Sequence, residues 1–394
     1  MEWAGADGAD SFWRAGHEWR SDNRPARVAG WSRCSVGGRS GPCGRARPPR
    51  GALPALTLAF ALPDAVTNGV AVTPEGRIFA ALARIDGSAG PRVVEIRDSR
   101  PVPFPDETWN AFTDGADAAR TLVWVNSLRI GPDGDLWLVD TGSPGFGQPM
   151  RPGGCKLVQV DIAGARVRRT IPLDGVVTGK SFIDDVRFNG GRAYLTDAGA
   201  PALVVLDPVT GRGRRVLEGH PSVTASRPIS AEGRIVRGPD GAPVYVHADQ
   251  LEVSPDGAAL FYQSCTGPLW RVPTRLLDDP GIAPASLAAA VEIVADTPPT
   301  GGTAIAADGT LFVSDTDAQR IVRIAPDGTA STLIQDPRLL WVDAMWIDSH
   351  NRLWLPAAQL NRLAVFQGGR SRVRFPVEVY TLQLEVGPAP NDHR

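Results

Sequence analysis

The stretch NSLRIGPDGDLWLVD, residues 126–140, reads as a β-hairpin. Leu128 and Ile130 alternate with polar neighbours as one face of a half-buried strand does, Pro132-Asp133-Gly134 supplies a turn, and an apolar-aromatic run returns. The same pattern recurs from Asn68 (NGVAVTPEGRIFAAL), Asp184 (DDVRFNGGRAYLTD), Asp249 (DQLEVSPDGAALFYQS), Gly302 (GTAIAADGTLFVSD) and Asp343 (DAMWIDSHNRLWLPA). Successive copies start 58, 58, 65, 53 and 41 residues apart, the length of a propeller blade and too long for leucine-rich or ankyrin repeats. Six copies predict an all-β, six-bladed β-propeller with four-stranded blades.

Working outward, residues 51–385 form the propeller, residues 1–50 read as a disordered or poorly ordered Arg/Gly-rich extension, and residues 386–394 as a flexible tail. Residues 56–62 form a strand with no blade of their own. A ring avoids an open seam when one terminus completes the last blade, so this strand is expected to pair with chain between residues 372 and 384. Blade six is expected to use residues 362–375 around QGG as its second hairpin, and residues 284–290 are the one short helix candidate. If each first strand runs from top to bottom, the long connections 99–123, 141–154 and 218–246 all lie on top, which is where a ligand is expected.

Composition narrows the function classes. The net charge of -2 gives no electrostatic case for nucleic acid, and no run of 18 apolar residues exists to span a membrane. Of the 41 basic residues only Lys156 and Lys180 are lysines, a bias of composition from which no function follows. Cys34, Cys43, Cys155 and Cys265 are too dispersed for a disulfide framework. The start MEWAGADGADSFWRAGHEW lacks a basic region and an apolar core, so no signal peptide is readable there. Motifs of nucleophilic, phosphate-binding or H-E-x-x-H zinc enzymes are missing.

Position one of the repeat gathers Asn68, Asn126, Asp184, Asp249, Gly302 and Asp343 at the top of the central channel, with Asp185 beside them and His247 two residues ahead of Asp249. Asp140, Asp197 and Asp315, which close second strands, form a candidate outer ring. Three readings fit: solvated or backbone-bonded polar groups, a hard-cation site, or recognition of an amine or polyhydroxyl ligand by carboxylate and amide acceptors with nearby aromatics.

LWLVDTG at 136–142, SFIDDVRFNGGRAYLTDAG at 181–199, VVLDPVTGRGRRVLEGHPSV behind it, and DAMWIDSHNRLWLPAAQLNRL at 343–363 resemble the major royal jelly protein and yellow family, in particular its bacterial members, over residues 56–384. The resemblance implies a six-bladed propeller, and functions that range from dopachrome conversion through biogenic-amine binding to nutritive or structural roles. It also implies secretion in many members, so location stays open beside the unreadable signal. A wider resemblance is to SMP-30/gluconolactonase-like propellers, metal-dependent lactonases with the ion at the channel mouth. Asp343 resembles their aspartate ligand and Asp249 stands at their asparagine position. Asn68 replaces their glutamate, and the blade after Asp249 offers only Gly302 and Thr303; both departures weigh against that activity. Gln250, where the royal jelly pattern has glycine, is expected to add bulk at the mouth.

The expected function is therefore binding of a small polar or aromatic-amine ligand by Asp184, Asp185, Asp249 and Asp343, with Asn68 and Asn126 orienting it. Tautomerase-like chemistry would use His247 or Asp185 to move a proton. The alternatives are a divalent-metal lactonase holding Ca, Mg, Mn or Zn on Asp249, Asp343 and Asn68, and a non-enzymatic scaffold with an unknown protein partner.

Overall fold

The computed structural model describes residues 55–390. Six four-stranded antiparallel sheets stand around a central axis. β1 (Thr57–Leu62) is followed by blade one, β2 (Thr67–Val72), β3 (Ile78–Leu82), β4 (Val93–Arg97) and β5 (Arg100–Pro103). Blade two is β6 (Val125–Ile130), β7 (Leu136–Thr141), β8 (Cys155–Asp161) and β9 (Arg166–Pro172). Blade three is β10 (Ile183–Asn189), β11 (Arg192–Asp197), β12 (Ala202–Leu206) and β13 (Gly213–Val216). The small hairpin β14 (Ser230–Ala231) and β15 (Arg234–Ile235) then precedes blade four, β16 (Ala248–Val253), β17 (Ala259–Ser264), β18 (Leu269–Pro273) and β19 (Glu292–Ala295). Blade five is β20 (Thr303–Ile305), β21 (Leu311–Asp315), β22 (Arg320–Ile324) and β23 (Ala330–Gln335). Blade six contains β24 (Trp346–Ile347), β25 (Arg352–Pro356) and β26 (Val377–Gln383).

β1 is the fourth strand of blade six, paired antiparallel with β26. The ring is thus closed by the two ends of the propeller, as the unpaired first strand requires. First strands of neighbouring blades touch in sequence around the axis, and a parallel bridge from Gly69 to Ala344 completes the circle. Alternating residues of each strand face the neighbouring blade, which is why residues such as Leu62, Phe79, Leu138, Leu195 and Leu260 are fully buried between sheets.

Three expectations need correction. Residues 362–375 form no hairpin; they make short 3-10 turns at Leu360–Arg362 and Ala364–Phe366, and β26 takes the third-strand place. With β1 already supplying the fourth strand, blade six has no need of a hairpin there. The connection 99–123 contains β5, so the top loop is shorter than it looked. A second short helix, Thr274–Asp278, precedes Pro284–Ala289. Residues 1–50 and 391–394 lie outside the described residues. The part of the tail that is described is docked: Pro388 bridges Ala306, the Ala307 N–H donates to the Gly387 carbonyl, and Ala389 is buried.

The proposed outer ring belongs to the scaffold. Asp140 accepts the N–H groups of Val123, Trp124 and Gly142 and pairs with Lys156 at 2.7 Å. Asp197 accepts from Phe182, Gly199 and Ala200 and pairs with Arg215, and Asp315 accepts from Asp317 and Ala318 and pairs with Arg320. One carboxylate in each of these blades therefore ties the second-strand end to its loops, leaving no face for a ligand.

Candidate functional site

The inner strands do not present their first residues in regular pleat. In blades one to four the register with the second strand slips between Thr67 and Gly69, Val125 and Ser127, Ile183 and Val186, and Ala248 and Leu251. One extra residue enters each inner strand there, a β-bulge that re-aims side chains out of the ladder. Asn68, Asn126, Asp184 and Asp249 all sit in these bulges and face the channel. Asp343, just before β24, joins them.

Blade five contributes no side chain, for a steric reason. A Cβ on Gly302 would lie 2.4 Å from the Asp343 backbone, so the close approach of blades five and six admits only glycine.

Together the five residues line the floor of a cavity of about 110 Å³. Asn68 Nδ2 donates to Asn126 Oδ1 at 3.2 Å, while the enclosed Asn68 Oδ1 has no hydrogen-bond partner among the described residues. Asp184 and Asp249 lie close together on this floor, each within the other's electrostatic reach. Cys265 donates its thiol to Asp249 Oδ2 at 3.1 Å. Trp341 Nε1 donates to Asp343 Oδ2 and the Ala344 N–H to Oδ1, both at 2.9 Å. Asp249 and Asp343 keep part of their surface open to the cavity, while Asp184 is buried.

Desolvation therefore dominates the electrostatics. Burial, reinforced by the charges of Asp249, Asp185 and Asp343, raises Asp184 well above the usual carboxylate range. Burial also lifts Asp249 to about 7 against the Cys265 hydrogen bond, and raises Asp343, with the Asp249 charge adding to it. No lysine, arginine or histidine lines the cavity among the described residues.

Above this floor the walls are apolar. Trp124, Phe182 and Trp341 stand two residues ahead of Asn126, Asp184 and Asp343, and Trp124 meets Phe182 edge-on at 5.0 Å. Phe146 and Phe366, in edge contact at 5.1 Å, and Ile229, Val236 and Val244 from the connection between blades three and four close the top. The sequence reading missed these residues and Cys265, although an aromatic two places before position one in three blades was a visible signal.

Three expected site residues lie elsewhere. Asp185 points below the floor, where Arg187 Nη1 binds it at 2.6 Å and Arg129 Nη2 stands 3.7 Å away; Arg187 also holds Glu252 at 2.8 Å. Burial, opposed by Arg129, sets Asp185 at about 6. His247 is buried outside the lining, with Nδ1 accepting the Ala225 N–H, and burial lowers its pKa. Gln250 is turned into the wall, donating to the Thr300 carbonyl at 3.1 Å, so it adds no bulk at the mouth.

A sequence model of the major royal jelly protein family matches residues 125–385, blades two to six. The chain belongs to that family. Comparison with curated proteins finds no match. Among solved structures, this royal jelly family propeller is similar to a candidate gluconolactonase (TM-score 0.53, 13% identity, 86% of this chain and 94% of that one). It is also similar to a luciferin-regenerating enzyme (TM-score 0.52, 12% identity, 86% and 99%) and to a gluconolactonase from Xanthomonas campestris (TM-score 0.50, 13% identity, 84% and 89%). At these identities the likeness is one of fold.

The oxygen-only floor has the right chemistry for a hard divalent cation. Asp343 accepts one N–H on each oxygen and Asp249 Oδ2 accepts a thiol, contacts that orient the two carboxylates. No three His, Cys, Asp or Glu side chains among the described residues are arranged to hold a metal ion.

Proposed function

We propose that this royal jelly family propeller binds a small organic cation, an amine carrying an apolar or aromatic body, with the ammonium on the carboxylate floor. The observation that carries the reading is the convergence of Asp184, Asp249 and Asp343 in one cavity whose lining holds no basic side chain. Carboxylates that burial leaves poorly solvated gain most from a ligand that brings the missing positive charge. The partnerless Asn68 Oδ1 supplies a further acceptor for an ammonium proton, and Trp124, Phe182 and Trp341 suit the flat or cationic part of such a ligand.

Proton transfer within the bound ligand is a finer step that the same floor supports. Asp249, at about 7, is poised to take a proton near neutral pH, and the proton-bearing Asp184 is its natural donor partner. His247 and Asp185 are held away from the ligand, so such tautomerase-like chemistry falls to the carboxyl pair. The metal-lactonase alternative draws less support, because no three His, Cys, Asp or Glu side chains among the described residues are grouped as metal ligands.

A thermal-shift panel of primary arylalkylamines beside the matching neutral alcohols tests the reading. Amines are expected to raise the Tm of the wild-type chain and to leave an Asp184→Asn/Asp343→Asn variant unmoved; equal shifts with alcohols would overturn it.

A further inference from the structure

The connection between blades three and four does not stay near those blades. It crosses the mouth of the channel, and its tip is fastened on the far side. Ser230 Oγ donates to Asp317 Oδ2 at 2.7 Å and the Gly233 N–H to Oδ1 at 2.9 Å. The Glu232 N–H donates to the Thr316 carbonyl. The Glu232 carboxylate accepts Arg362 Nη2 at 2.6 Å, Arg362 Nε at 2.9 Å and Asn361 Nδ2 at 2.9 Å. Thr316 and Asp317 follow the second strand of blade five; Asn361 and Arg362 belong to the 3-10 turn of blade six, whose Leu360 is itself cavity wall.

The two sides of this segment differ. Its underside, Ile229, Val236 and Val244, is buried against the cavity, while Glu232, Gly233, Arg234 and Ile235 are exposed on top. A crevice of about 160 Å³ flanks the joint between Glu232 and Arg362. The fastening centres on the bidentate, partly exposed pair of Glu232 with Arg362 beside the buried Asn361, around a hairpin of two-residue strands. Such an element opens at far lower cost than the blades.

We propose that residues 226–245 form a lid whose apolar underside selects the non-polar end of the ligand, and whose clasp of Glu232 to Arg362 and Asn361 governs entry and release. The proposal rests on the cavity being the ligand site. Closure over the floor excludes water from the carboxylates, which strengthens their hold on a cation. Release then requires the clasp to part, and salt screens that clasp more than it screens the floor.

Cys265 reports on the lid without any ligand, because its thiol lies on the cavity wall; Cys155 is buried in blade two, outside the cavity, and serves as the internal control. Alkylation of the full chain by iodoacetamide, read peptide by peptide by mass spectrometry, gives both rates. Glu232→Gln and Arg362→Gln are each expected to raise the Cys265 rate by about fivefold or more, with Cys155 unchanged. Unchanged labelling of Cys265 in both variants, or a parallel rise at Cys155, would overturn the lid. Neither outcome depends on whether an amine binds, so failure of the lid and failure of the ligand reading are separately visible.

Discussion

Asp184 and Asp249, at the same repeat position of adjacent blades, meet at the top of the channel, where the charge of Asp249 reinforces burial in raising the pKa of Asp184. Asp343 adds a third carboxyl to the same floor. In water such groups ionise freely; burial here favours their protonated forms, and a bound cation would favour the ionised ones. That exchange gives the site a definite pH dependence.

Affinity for an amine is expected to rise as pH increases through about 7, where Asp249 loses its proton, and to stay high until the amine itself is neutralised. Binding at about pH 6 should release protons, seen as a buffer-dependent heat in titration calorimetry. An affinity that falls over this range would contradict the assignment of Asp249.

Stability of the ligand-free chain should respond in the opposite sense. The folded-state pKa of Asp249 is raised from 3.8 to about 7, so the stability it contributes is fully present below the unfolded value and is lost as pH rises through the folded one. Asp249→Asn removes that loss. Its Tm is expected to exceed that of wild type at about pH 8 and to gain much less at about pH 5. Thermal scans at the two pH values check it.

Lys156 is buried and serves Asp140 together with the carbonyls of Ala118, Thr121 and Gly154. Lys156→Met should destabilise the fold by about 3–5 kcal/mol, because it strands a buried carboxylate and three carbonyls. Denaturant unfolding measures this. A change close to zero would mean that this tie is not structural.

Closure of the ring is testable at Leu62, the fully buried last residue of β1. Leu62→Ala should cost about 2–5 kcal/mol through the cavity it leaves in the seam between the first and last blades. Unfolding should remain one cooperative step, since the blades share their faces.

The period of the repeat, its turns and the unpaired first strand made the six blades and their closure legible, because spacing and alternation are properties of sequence. Position one was legible for the same reason, and four of its polar residues do meet Asp343 at the channel. The bulges were not, since an extra residue in a strand shows only in its pairing with the partner. They turn Asp184 toward the cavity and leave Asp185 to Arg187, a distinction that two adjacent aspartates in a string cannot show. The paired role of Asp140, Asp197 and Asp315 was hidden likewise, because their partners Lys156, Arg215 and Arg320 lie on other strands. Cavity walls drawn from loops, such as Val236 and Phe366, have no period to betray them.

Calorimetric titration of the wild-type chain at about pH 8 with phenethylamine, set beside phenethyl alcohol, tests directly whether the carboxylate floor recognises a cation. The two probes share size and ring and differ in charge. Saturable binding of the amine is expected, with at least about a hundredfold weaker binding of the alcohol and loss of the difference in Asp184→Asn/Asp343→Asn. Equal binding of both probes, or binding of neither, would contradict it.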